Sequence, residues 1–115
     1  MSVAKAYMAA ARSLDPEAFL RLFADDAELH DPAAPAVLKG KTAIGAFYRG
    51  ICGSFRSLAV KEEGILEQGN AAAFRFTCTG VTADGRSVSF PVMDVVETGP
   101  DGRIKVLRGY WTPPS

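Results

Sequence analysis

A chain of 115 residues has room for one domain, residues 1–115, on a single core that buries roughly two-thirds of the unfolded surface. With 48% hydrophobic and 23% charged residues, the composition excludes a disordered or fibrous protein. Thirteen basic and thirteen acidic residues cancel without forming runs, and every long apolar stretch is broken by charge; no nucleic-acid partner, membrane span or signal-peptide core is expected, and the expected location is the cytoplasm.

From the N-terminus, Val3, Tyr7, Ala10 and Leu14 form a helical apolar stripe, with Lys5 and Arg12 off it. Asp15-Pro16-Glu17 reads as an N-cap, a first-turn proline and a first-turn acid. It opens a short second helix with Phe19, Leu22 and Phe23 on one face, ending near Ala24. Ala27 to Asp31 alternates as a strand with Ala27, Leu29 and Asp31 on the apolar face and Glu28 and His30 on the other. Pro32 and Pro35 break that strand, and Thr42 is expected to cap a third helix with Ile44, Phe47, Tyr48 and Ile51 as its stripe, ending around Gly53. The remainder reads as strands at Ser57–Glu63, Ile65–Glu67, Ala71–Thr79, Ser87–Glu97 and Ile104–Trp111, with turns at Gly69-Asn70, Asp84-Gly85 and Gly99 to Gly102. Helices followed by a meander imply α+β, with the three helices lying on one face of a curved antiparallel sheet.

Cys52 and Cys78 lie far apart and His30 is the only histidine, so neither a disulfide framework nor a zinc site is signalled, and both thiols are expected to be reduced and buried. The chemistry is expected to be metal-free. The strand from Ser87 to Glu97 places Asp94 in one parity with Val88, Phe90, Val92 and Val96. A carboxylate among apolar side chains is costly to desolvate, so the protonated acid, a hydrogen-bond donor, is the cheaper state. Two bland alternatives stand beside this: a bulge near Pro91 that flips the parity, or an ion pair with Arg75 or Arg108. Asp31 precedes a proline, where most aspartates merely bond nearby amides. Tyr7 and Tyr48 sit on buried helical stripes, where aromatics are more often core, although each hydroxyl needs a partner and a hydroxyl chain between them would satisfy both.

Taken in order, Tyr7-Met8-Ala9-Ala10, Leu22-Phe23-Ala24-Asp25-Asp26-Ala27, Asp31-Pro32, Ala43-Ile44, Phe47-Tyr48 and Phe74-Arg75-Phe76 resemble the bacterial ketosteroid isomerases, within the SnoaL-like and nuclear-transport-factor-like superfamily of cone-shaped, cystatin-like α+β folds. The Leu-Phe-Ala-Asp-Asp-Ala segment is shared with polyketide cyclases and other members, so it speaks for the fold more than for the reaction. The resemblance implies a steroid delta-isomerase with Asp31 as general base, Tyr7 and a protonated Asp94 as oxyanion donors, and Tyr48 supporting Tyr7 by a hydrogen bond. It places Trp111 as an aromatic wall and Phe23 in the pocket, which Val88, Phe90 and Val92 would complete with apolar surface. That chemistry is the family's, carried over by the resemblance. It also implies a small hydrophobic substrate, no cofactor and a homodimer. The stretch from Cys52 to Gln68 departs from the family's pattern. Two further readings remain at this level: a polyketide-cyclase-like aldol catalyst, and a non-catalytic domain that binds a small hydrophobic ligand.

Overall fold

The computed structural model describes residues 2–32, 34 and 36–112; Pro35, expected to help break the chain after Asp31, lies outside the described residues. Helix α1 (Val3–Ser13) starts where Ser2 Oγ accepts the Lys5 amide at 3.1 Å and ends at Leu14, a left-handed residue with φ 57°. Asp15 then caps α2 (Pro16–Leu20), accepting the Glu17 and Ala18 amides at 3.1 and 3.4 Å. This helix is shorter than its apolar pattern suggests, and Leu22 and Phe23 are not on it. The Ile104 amide donates to the Leu22 carbonyl at 2.7 Å and Phe23 pairs with Ile104, so the chain is captured by the sheet as soon as the single helical turn closes.

Strand β1 (Phe23–His30) turns Ala27 and Leu29 into the core, and β2 (Leu38–Lys39) pairs with it at Glu28 and Leu29. Helix α3 (Gly40–Ser54) follows directly. Its N-cap is Lys39, with no side-chain cap, in place of the expected Thr42. Pairing of β2 fixes the chain up to Lys39, and Gly40, at φ 85°, makes the turn into the helix before Thr42 is reached.

The meander consists of β3 (Phe55–Gln68), β4 (Ala71–Thr82), β5 (Ser87–Thr98) and β6 (Ile104–Trp111). The two segments expected at Ser57–Glu63 and Ile65–Glu67 are one strand, with a pairing irregularity between Glu62 and Gly64. Sheet order is β2-β1-β6-β5-β4-β3. One pair departs from the antiparallel expectation: β1 and β6 run parallel, because the chain between them passes through α3 and the whole meander instead of a hairpin. The architecture is α+β, a curved, unclosed six-stranded sheet packed against the helices. Phe19 stacks flat on Tyr48, ring centroids 4.0 Å apart, which locks α2 to α3. Among the described residues no helix is long and apolar enough to cross a membrane.

Candidate active site

On β5 the alternation runs unbroken, with Phe90, Val92, Asp94 and Val96 buried and Ser89, Pro91, Met93, Val95 and Glu97 exposed. Pairing with β4 is continuous along its length, and pairing with β6 is continuous through Asp94, so there is no bulge at Pro91. Arg75 pairs with Glu63 and Arg108 with Glu97, each at 3.7 Å, so both arginines are engaged elsewhere. Asp94 is 3% exposed. Burial, and secondarily the charge of Asp31, push its carboxyl up to about 8, which keeps it protonated at neutral pH. Its buried Oδ2 has no hydrogen-bond partner among the described residues, an unsatisfied group of the kind that a ligand oxygen would complete.

In the sheet, Asp94 stands between Phe74 on β4 and Gly109 on β6. A Cβ at residue 109 would lie 2.9 Å from Asp94 Oδ1 and 3.4 Å from Asp31 Oδ2. Two carboxyl groups therefore flank one bare backbone position, and glycine is what leaves room for both. Asp31 follows the last residue of β1, and the indole Nε1–H of Trp111 donates to its two oxygens at 3.1 and 3.0 Å. That shared contact orients the carboxyl group. It also gives Trp111 a polar task beyond the aromatic wall expected of it.

Tyr7 comes from α1, its ring tilted against Phe19 and Phe74 at 5.6 Å from each. Burial foremost, then Asp94 and Asp31, raise its hydroxyl well above the ordinary tyrosine range, so it remains a donor. Tyr48 does not bond to Tyr7. Its hydroxyl donates to the carbonyls of Ala10 and Ala11 at 3.1 and 2.9 Å, two of the last four carbonyls of α1, which have no partner within the helix. The expected supporting hydrogen bond is thus corrected to a fastening of the helix that carries Tyr7. Burial pushes the Tyr48 hydroxyl up to about 12.

Tyr7, Asp31, Tyr48, Asp94, Phe90, Val92 and Trp111 all line one cavity of about 90 Å³ whose remaining walls are largely apolar. Phe23 and Val88 are not among its lining residues. Phe23 starts β1 and is wholly buried against Phe19, a consequence of the early end of α2, while Val88 sits half-buried opposite Gly80. Phe47, Phe55, Leu58, Phe76 and Cys78 line the cavity without having been expected. Phe76 and Cys78 share inward parity with Phe74 on β4 and were readable that way; burial pushes the Cys78 thiol up to about 11, and Asp94 adds to it. His30 lies outside the cavity lining, its Nε2 3.4 Å from Glu28 Oε1.

The model of the SnoaL-like domain family matches residues 4–107. This chain belongs to the SnoaL-like domain family. Within reach of that family, a protein from Nocardioides simplex named steroid delta-isomerase is 32% identical over 107 residues, spanning 93% of this chain and 85% of that protein. A protein from Catenulispora acidiphila with a ketosteroid isomerase-like fold, solved in complex with trimethylamine, superposes with a TM-score of 0.85 at 19% identity, covering 96% of this chain and 85% of that one. An NTF2-like protein of unknown function from an Exiguobacterium species gives 0.80 at 19% identity, over 98% and 100% of the two chains. At such identities the two structures establish the fold of this SnoaL-like protein.

Proposed function

We propose that this SnoaL-like protein is a steroid delta-isomerase, which moves a double bond of a Δ5-3-ketosteroid into conjugation with the ketone. The observation that carries this reading is the convergence of Asp31, Tyr7 and Asp94 on one apolar cavity, with Asp94 protonated and its Oδ2 free for a ligand oxygen. Asp31 removes a proton from the carbon between the carbonyl and the double bond. The electron pair left behind delocalises onto the carbonyl oxygen as a dienolate. Tyr7 and Asp94 donate to that oxygen from a largely apolar site, and loss of one such donor costs roughly 3 kcal/mol of transition-state stabilisation. Asp31 then returns the same proton two carbons further on, so one carboxyl group serves as base and acid. No electrons leave the substrate and the proton stays on the enzyme, so the reaction requires no cofactor.

The relative named steroid delta-isomerase supports the reaction class. An aldol catalyst has no need of two donors flanking a base, and the presence of Tyr7, Asp94 and Asp31 on the lining of one cavity favours the isomerase over it. The acting form is a homodimer, for which the exposed apolar side chains Met93, Val95 and Tyr110 on the outer face of the sheet supply the surface. The test is to mix the protein with 5-androstene-3,17-dione and follow the ultraviolet absorbance of the conjugated enone. A rise proportional to protein concentration is expected, and a rate equal to the uncatalysed background rejects the reading.

A further inference from the structure

Away from the carboxyl groups, the cavity is lined by Phe55 and Leu58 of β3. Asp94 faces Phe74 on β4, whereas Leu58 pairs with Gly80, six residues further along the same strand, about 20 Å of extended chain. Gly80 is inward-facing, and a Cβ there would meet the Ser57 carbonyl oxygen at 2.8 Å, Leu58 Cδ2 at 2.9 Å and Phe55 Cδ1 at 3.1 Å. The missing side chain is therefore the space into which Phe55 and Leu58 fold. Phe55 also meets Phe90 at 6.5 Å between ring centroids, and Phe90 stacks on Trp111 at 5.2 Å, so an aromatic row runs from the Asp31 end to this wall. The cavity of about 90 Å³ is smaller than the roughly 300 Å³ at which pockets for drug-sized ligands begin. Both side chains belong to the stretch from Cys52 to Gln68, which departs from the ketosteroid isomerase pattern.

We propose that Phe55 and Leu58, seated over Gly80, form the far wall of the cavity and select substrates that are compact at the end opposite the ketone. The inference rests on the isomerase reading for the direction in which the ketone points. Any fused-ring ketone exceeds this cavity as it stands and has to push Phe55 and Leu58 aside, and one carrying a long alkyl chain at the far end has to push them further.

Trp111 is the only tryptophan of the chain and lines the cavity, so its fluorescence reports occupancy. The experiment titrates wild type, Phe55→Ala and Leu58→Ala with 4-androstene-3,17-dione and 4-cholesten-3-one, which share the enone and rings and differ at the far end. Wild type is expected to bind the compact steroid at least about tenfold more tightly, and each variant is expected to reduce that ratio several-fold. A wild-type ratio near one, no quenching by either steroid, or a ratio that both variants leave unchanged overturns the proposal. Should Phe55→Ala lose its native circular dichroism spectrum, Phe55→Leu takes its place. Turnover of 5-androstene-3,17-dione is measured in parallel: no turnover with the binding ratio and its reduction intact removes the isomerase reading and leaves the wall standing, and turnover with a ratio that ignores both variants does the reverse.

Discussion

Asp94 keeps its proton because burial removes the water that would stabilise its charge and because Asp31 stands across Gly109. In the unfolded chain an aspartate ionises near pH 4, whereas the folded carboxyl holds its proton to about 8. Between those values the unfolded state binds fewer protons. The stability associated with neutral Asp94 is therefore complete below about pH 4 and is lost as pH rises through 8. Asp94→Asn, which cannot ionise, is expected to raise the Tm relative to wild type at pH 8 by more than at pH 4; thermal melts with the same difference at both pH values contradict this. The same ionisation would remove one of the two donors proposed for the dienolate oxygen, so kcat/KM of the wild type is expected to fall above about pH 8. Gly109→Val places branched carbon between the two carboxyl groups and is expected to lower kcat by more than about a hundredfold while the circular dichroism spectrum is retained. Turnover within tenfold of wild type would show that the bare position is not needed. Asp94 was legible in the sequence because alternation exposes an acid on an apolar face. Gly109 was not, because a residue without a side chain leaves no mark on an alternation pattern, and the Trp111 indole found its partner 80 residues away in another element.

At the scale of elements, Tyr48 ties α3 to the end of α1, and α1 carries Tyr7. Ser13 Oγ also donates to the Ala10 carbonyl, so Tyr48→Phe chiefly leaves the Ala11 carbonyl unpaired, at a cost of about 1–3 kcal/mol. A fall in Tm of at least about 4 °C is expected, with a fall in kcat as Tyr7 loses its fixed height above the sheet; an unchanged Tm contradicts the fastening role. The middle of the meander was legible since β4 and β5 alternate over many residues between glycine-bearing turns, whereas β3, which does not alternate, reads as two strands. Short elements were not legible. The five residues of α2 yield to strand pairing at Phe23 and Ile104, β2 is a two-residue bridge, and α3 begins ahead of Thr42 because that bridge already fixes the chain. Nothing local announces that β1 lies parallel to β6, because that pairing spans nearly the whole chain.

For the molecule as a whole, the outer face of the sheet sets Met93 directly opposite Tyr110, 55% and 59% exposed. Size-exclusion chromatography with light scattering is expected to give the mass of a dimer for wild type and of a monomer for Tyr110→Glu; a wild-type monomer removes this surface from the account. A curved sheet packed against helices makes a largely apolar cavity, and the proposed chemistry follows from the placing of Asp31, Tyr7 and Asp94 on its lining. The claim is tested most directly by kcat of Asp31→Asn against wild type on 5-androstene-3,17-dione at pH 7, with folding checked by circular dichroism. Replacing the proposed general base is expected to lower kcat by about a hundredfold to ten-thousandfold. A folded Asp31→Asn variant that retains kcat within a factor of about two of wild type would contradict the account, because the proton would then be carried by a group other than Asp31.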